Sequence, residues 1–322
     1  MNKDANISTV NRNGNAKTIF ENNIALMLAL VMVFALCACG GNSDPKPTEE
    51  AKDYSSMTLD QLKAELKTVN EGKLTIATSP DFAPYEFYSV DKDGNATLVG
   101  FDIAFAKYIA DKLGLELEIV PMDFDGTLAE LGAKKCDLGM AGYSPDPDRA
   151  NLMNFSKIYY EGGQCFITSK ANADKIKSLD DANNSQYKIG AQTGSIQSKL
   201  AKQNTPDADN IDLSKVPDVI AEVISGKLDG AFMETIVAKS YQAQYPEIVI
   251  VCDVPYEQEG SAIGVNKDNE VLLAALNLII DEAINDGSLQ KFVDEAGILA
   301  IGDKYEGLLD GSGKVPEADT AA

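Results

Sequence analysis

The chain contains no histidine and no tryptophan. Without imidazole there is no Ser-His-Asp or Cys-His nucleophile, no histidine general base and no His-ligated zinc. Basic residues are also scarce: 28 lysines and arginines stand against 50 aspartates and glutamates in 322 residues, a net charge of −22. That balance argues against nucleic-acid binding, which needs a basic surface. It identifies no partner, and its simplest reading is solubility. The remaining composition, 44% apolar and 7% aromatic, is that of a globular protein with chain enough for two medium domains. No cofactor is expected.

What is present begins with an address. From Ile24 to Ala38 there is no charged residue. Fifteen residues are few for a membrane span and suit the core of a signal peptide. Lys3, Arg12 and Lys17 precede it against Asp4 and Glu21. The run ends Leu36-Cys37-Ala38-Cys39-Gly40-Gly41, which resembles a bacterial lipobox. Cys39 is the better lipidation candidate because Ala38 precedes it; Cys37 departs from the usual residue at its position. The other reading is a plain signal peptide with incidental cysteines. Lipid on Cys39 would anchor the protein to a bilayer without a spanning helix. Residues 1–38 read as the signal, 39–57 as a flexible tether with two prolines, and 304–322 as a disordered tail.

The body alternates strand and helix patterns, which predicts an α/β fold with mostly parallel sheets covered by helices. Thr58 and Gln61 have capping-box spacing, predicting a helix to about Val69, within a short element over 58–71. Lys73–Ser79 reads as a buried strand. Asp91-Lys-Asp-Gly-Asn95 carries carboxylates, but its glycine is misplaced for a calcium loop, so a hairpin turn is expected. Asp102 is expected to cap a helix presenting Ile103, Ala106, Ala110 and Leu113 and ending at Gly114. A strand at Leu115–Val120, a helix near Thr127–Ala133 and a strand at Asp137–Ala141 follow. Further strands are expected at Tyr187–Ala191, Gly230–Met233 and Ile248–Val251. Residues 129–137 align with 221–229 at an offset of 92, each a helix end, a turn and a strand start. Two similar lobes would follow, with Gly142–Ser144 and Glu234–Thr235 as equivalent positions beyond strand ends, where ligands gather in open sheets.

Several residues could hold a small ligand. Arg149 follows a Pro-rich turn and could clamp a carboxylate, or be an ordinary surface arginine. Thr193-Gly194-Ser195 precedes a helix and offers amides to an anion, or serves only as a cap. Glu234 follows a strand and could pair with an ammonium, or be a first-turn helix acid. Phe82 and Phe124 sit in loops after strands, where they could line a pocket or pack in the core. Cys136, Cys165 and Cys252 are the cysteines left in the body. Cys165 and Cys252 flank two chain crossovers, so a bridge or free thiols are both open.

Their order along the chain carries more. Phe82-Ala-Pro84-Tyr-Glu-Phe87, Gly100-Phe-Asp102-Ile, Pro121-Met-Asp-Phe124-Asp-Gly126, Gly142-x-Ser144-x-x-x-x-Arg149 and Asn154-Phe-Ser156 together resemble the polar amino-acid-binding proteins of bacterial ABC transporters. The likeness runs from about Lys73 to Asp303, with the Pro121–Gly126 stretch nearest the glutamine-binding members. It implies a two-lobed flytrap: one lobe of 72–160 plus 261–303, the other of 161–260, hinged near Tyr159–Gly163 and Glu259–Ala262. It implies that Arg149 and the amides of Ser144 and Gly194 take a ligand carboxylate. Glu234, where the family usually has aspartate, would take the ammonium with the Ser144 hydroxyl and the Gly142 carbonyl. Phe82 and Phe124 would sandwich the ligand side chain, with Thr193, Asp81, Ala141 and Met233 close by. Asp146 stands where the family often has threonine, and Ser79, Gly190 and Met233 depart from the glutamine-binding members, so the backbone site looks intact and the specificity pocket altered. The resemblance implies a monomer that captures an L-amino acid, polar and conceivably glutamine, for an ABC permease. A dehydratase on the same fold, with Glu234 or Asp146 as proton donor, and a sensor for a membrane receptor are the alternatives.

Overall fold

A computed structural model describes residues 52–91, 93–256 and 260–302. The expected signal, Cys39, the tail 304–322 and part of the second crossover lie outside these residues. No helix among the described residues is long and apolar enough to cross a membrane.

After a single 3₁₀ turn at Tyr54–Ser56, the described chain enters the expected capping box. Thr58 Oγ1 accepts from the Gln61 amide at 3.4 Å, and Gln61 Oε1 accepts from the Thr58 amide at 2.8 Å. Helix α1 (Leu59–Glu65) follows and stops at Leu66, short of Val69, because Leu66 is already extended. Strands β1 (Lys73–Thr78), β2 (Asp81–Phe82), β3 (Glu86–Val90) and β4 (Ala96–Val99) come next. β3 and β4 form the expected hairpin, and the Asp91 carboxylate accepts from the amides of Asp93 and Asn95, each at 2.9 Å. The Asp91 carboxylate is thus a turn clamp.

Helix α2 (Phe101–Leu113) buries Phe105, Ala106, Ile109, Ala110 and Leu113, leaves Ile103 half-buried, and ends on left-handed Gly114. Its N-cap is Gly100 rather than Asp102. Gly100 has φ +126°, and a Cβ there would collide with the Tyr85 carbonyl, so only glycine fits this corner. Asp102 therefore falls inside the first turn, where its side chain points into the protein. β5 (Glu116–Pro121), α3 (Phe124–Gly132), β6 (Leu138–Gly139) and β7 (Met153–Tyr160) complete this stretch. α3 begins at Phe124, three residues before the expected start.

The second half holds β8 (Gln164–Ser169), α4 (Leu179–Ala182), β9 (Lys188–Gln192), α5 (Ile196–Asn204), β10 (Asp209–Leu213), α6 (Val216–Ser225), β11 (Gly230–Glu234), α7 (Thr235–Gln244) and β12 (Ile248–Val254). The chain then returns through β13 (Ser261–Asn266), α8 (Glu270–Asn285) and α9 (Ser288–Gly302).

Two five-stranded sheets result, in the orders β5-β1-β6-β13-β7 and β10-β9-β11-β8-β12. In the first, β1 pairs parallel with β5 and β6, while β13 pairs antiparallel with β6 and β7. The second repeats this pattern, with β8 as the reversed strand. Four strands of each sheet thus share one direction, which is the mostly parallel two-lobed α/β fold the alternating pattern predicts. The aligned pieces at offset 92 fall on the end of α3 running into β6 and the end of α6 running into β11. Each sheet receives its reversed strand immediately after the chain has left the other sheet.

Among the described residues, Cys136, Cys165 and Cys252 are free. Cys165 lies opposite Asp253, and Cys252 opposite Phe166, on the paired strands β8 and β12. Neighbouring residues of a strand point to opposite faces, so the two thiols are directed apart and no bridge forms.

Candidate ligand-binding site

The chain leaves β6 through Met140 and Ala141, both buried, into Gly142 with φ +57°. A Cβ at Gly142 would stand 2.7 Å from the Phe82 ring, so glycine lets the two segments close on each other. Beyond it, Asp146 accepts from the Asp148 amide at 3.0 Å and caps a single 3₁₀ turn over Pro147–Arg149. That turn carries Arg149 inward, and only 7% of the residue is exposed.

Arg149 is not an ordinary surface arginine. Its Nη2 donates to the Gly194 carbonyl at 3.0 Å and its Nη1 to the Ser144 carbonyl at 3.4 Å. The guanidinium carbon lies 5.7 Å from the centre of the Phe124 ring and 6.0 Å from that of Tyr143. No ion pair joins it to a carboxylate among the described residues. Burial presses its pKa below the usual arginine value. It is a positive charge removed from water and satisfied by neutral oxygens, a costly arrangement that an anion would relieve.

Glu234 closes β11 and is the N-cap of α7, one position before the first turn where the sequence reading placed a helix acid. Its Oε2 accepts from the amides of Ile236 at 2.7 Å and Val237 at 3.1 Å. Its Oε1 is buried with no hydrogen-bond partner and faces Gly162, where a Cβ would press on it. No ion pair joins Glu234 to a cation among the described residues. Burial pushes its pKa up to about 8 against the pull of the two amides.

Phe82 and Met233 face a gap of about 10 Å³ together with Gln192 and Gln197, room for at most one water. Phe124, Ala141 and Tyr143 share a buried cluster. Thr193 donates its amide to the Leu213 carbonyl at 2.8 Å, and Ser195 caps α5 by accepting from the Ser198 amide. An open groove of about 500 Å³ runs past Arg149 and Asp146 on one side and Gly194, Ser198 and Lys199 on the other. Glu234 lines neither space; Tyr85 and Tyr160 feel its charge, and Tyr85 also abuts the Gly142 corner.

Contacts across the two lobes join Asp81 and Asp146 to residues the sequence did not single out, Gln192, Lys199 and Val216. Partly buried Asp81 accepts from the Val216 amide at 3.1 Å and from Gln192 Nε2 at 3.3 Å, so β2 meets β9 and the start of α6. Burial raises the Asp81 pKa to about 6. Lys199 on α5 reaches Asp146 at 3.2 Å and Asp148 at 2.5 Å. Asp146 is thus a turn cap and ion-pair partner, not the free acid a dehydratase would need. Gln197 Nε2 donates to Gln164 Oε1 at 2.7 Å within the same buried region. A glutamine carries no sequence signal of burial, whether it ends a strand as Gln192 does or sits among polar neighbours on a helix as Gln197 does, so neither is legible in the sequence.

Two lobes built on like sheets, joined by crossing strands and carrying buried ionisable groups with no ion pair among the described residues, define a two-lobed ligand-binding protein. The profile of the bacterial extracellular solute-binding proteins, family 3, matches residues 74–296, and the chain belongs to that family. It is 31% identical over 272 residues to the arginine-binding extracellular protein ArtP of Bacillus subtilis, covering 83% of this chain and 94% of that one. A crystal structure of the amino-acid ABC transporter substrate-binding protein AbpA of Streptococcus pneumoniae bound to L-arginine superposes with a TM-score of 0.69 at 33% identity. It covers 76% of this chain and all of that one. The ancestral amino-acid-binding protein AncCDT-1, a precursor of cyclohexadienyl dehydratase, is also similar, with a TM-score of 0.63 and 31% identity over 74% of this chain and 99% of its own. The family and these relatives are binding proteins, and the chain is a binder rather than an enzyme.

Proposed function

We propose that this protein captures a free L-amino acid between its lobes, with Arg149 on the carboxylate and Glu234 on the ammonium. The observation that carries the reading is a buried Arg149 guanidinium and a buried Glu234 carboxyl, on different lobes, neither ion-paired among the described residues. A zwitterion satisfies both at once, and would draw the lobes together by contacts to each. Ser144, Gly142, Gly194 and Thr193 would supply the neutral hydrogen bonds, and Phe82 and Phe124 the walls.

The ligand we favour has a cationic side chain, arginine foremost, rather than glutamine. Asp81 adds a second acid near the junction, with no ion pair to a cation among the described residues. Arg149 alone leaves two acids against one base, and a ligand of net +1 balances them. The arginine-binding relatives point the same way. Thermal-shift measurements with the twenty amino acids and cystine test this. Arginine should raise the melting temperature, by an amount corresponding to about 2.7 kcal/mol at a hundredfold excess over Kd. Silence from every compound would end the amino-acid reading; a response to glutamine alone would end the cationic one.

The remaining expectations join this reading as proposals. Lobes of 72–160 plus 261–303 and of 161–260 would hinge at the two crossovers, the second near 259–262. The closed monomer would dock on an ABC permease from the extracytoplasmic face, held to the membrane by acyl chains on Cys39. Labelling of the wild type but not of Cys39→Ala with a radioactive fatty acid is the expected result.

A further inference from the structure

Two acids lie beneath the proposed site with no base beside them among the described residues. Asp102, in the first turn of α2, is fully buried. Its Oδ2 accepts from the Gly142 amide at 3.1 Å, and its Oδ1 accepts from the Tyr159 hydroxyl at 2.6 Å. Both oxygens face donors, which is the geometry of an ionised, acceptor-only carboxylate. Glu86, on β3, is fully buried as well, and neither of its oxygens meets a donor. Its neighbour within hydrogen-bond reach is Asp102.

A buried carboxylate with no donor is costly, so Glu86 keeps its proton, and that proton has one acceptor to turn to. The titratable groups facing the pair are Asp81 from β2, Tyr85 from the turn before β3, Tyr143 from the loop after β6 and Tyr159 from β7; no lysine or arginine is among them. We propose that Asp102 is the positioning residue of the ligand site, tying the Gly142 corner to the Tyr159 end of β7, with Glu86 as the neutral acid that shares a proton with it. The role reaches further than an ordinary helix acid. Gly142 stands where the proposed site turns toward the ligand, and Tyr159 stands two residues before the chain crosses to the second lobe. One side chain thereby couples the site's corner to the start of the crossover. Burial agrees with this assignment: it lifts Glu86 well above the usual carboxylate range and Asp102 to about 6.

The effect on affinity rests on the amino-acid reading, but the positioning does not, and two readouts separate them. The first is L-arginine binding by calorimetry at pH 7.5. Asp102→Asn, with a single acceptor oxygen, can hold only one of its two partners and should lose at least tenfold in affinity. Glu86→Gln, whose amide donates as the protonated acid does, should stay within threefold of the wild type. The second readout is the Gly142 amide resonance of the ligand-free protein, labelled with ¹⁵N-glycine and followed from pH 4.5 to 8. It should titrate with a midpoint near 6 in the wild type and in Glu86→Gln. It should be flat in Asp102→Asn and unaltered in midpoint by Asp81→Asn.

A Gly142 resonance that does not respond to pH in the wild type overturns the proposal, as does Glu86→Gln weakening arginine as much as Asp102→Asn. If Asp102→Asn fails to fold, by circular dichroism, the wild-type and Glu86→Gln titrations still decide. If the wild type ignores arginine, the amino-acid reading fails while the resonance titration continues to test the positioning role.

Discussion

Arg149 and Glu234 show how burial turns an ordinary residue into a functional one. Each had a bland reading in sequence, because spacing records neither the depth of a side chain nor the absence of a counter-ion. Arg149→Ala should weaken amino-acid binding at least tenfold, about 1.4 kcal/mol, by calorimetry. Unchanged affinity would remove Arg149 from the site. Glu234 carries a pH signature. Its carboxyl titrates near about 4.3 in an unfolded chain and at about 8 in the ligand-free fold. The folded state therefore holds the proton to higher pH. The stability linked to that proton is complete below about pH 4 and is lost as pH rises toward 8. Asp81 and Asp102, at about 6, act with the same sign over a narrower range. The melting temperature of the ligand-free protein should fall between pH 5 and 8, and fall less in Glu234→Gln. A ligand ammonium needs the ionised carboxylate, so binding near pH 7 should release close to one proton. Calorimetry in two buffers of different ionisation enthalpy measures that release; proton uptake would contradict the assignment.

At the level of the element, local chemistry was largely legible. The Thr58–Gln61 box, the Asp91 turn and the Gly114 stop each satisfy backbone groups within a few residues of themselves, so short-range sequence suffices to find them. Asp102 was misjudged for a complementary reason. An acid at the start of a helix usually caps it, but here Gly100 makes the corner, and the partners of Asp102 lie 40 and 57 positions away. Two substitutions separate these cases. Thr58→Ala removes a cap on an exposed helix and should cost about 1 kcal/mol in denaturant unfolding. Gly100→Ala forces a Cβ onto the Tyr85 carbonyl at a left-handed corner and should cost more, about 2 kcal/mol or above. Equal effects of the two would mean that the corner relaxes.

Across the whole molecule, the polar contacts between the lobes include Asp81 to Gln192 and Val216, Arg149 to Gly194, Lys199 to Asp146 and Asp148, Tyr256 to the Pro145 carbonyl and Gln244 to the Ala300 carbonyl, beside an apolar cluster that draws on both lobes. Lys199 is partly exposed and its pairs are worth little. The Asp81 and Arg149 contacts are more sheltered from water and weigh more. These contacts are made by side chains and loops rather than by a shared sheet, which suits lobes that open and close about the crossovers. Small-angle scattering should show the radius of gyration falling when arginine is added, and Asp81→Asn should reduce that compaction. An unchanged radius, with arginine bound, would mean that capture proceeds without closure.

The sequence by itself determined the alternation of strands and helices, the internal repeat, and the order of motifs that marks the family. These are periodic or local, and each is encoded in neighbouring residues. Only the tertiary structure decided that Arg149 is buried without a carboxylate, that Glu234 caps a helix while leaving one oxygen unpaired, that Cys165 and Cys252 point to opposite faces, and that Glu86 and Asp102 meet. Each of those facts depends on segments tens of residues apart arriving at one place. Desolvation, which sets the charge and the chemistry of such groups, exists only once the chain has closed around them.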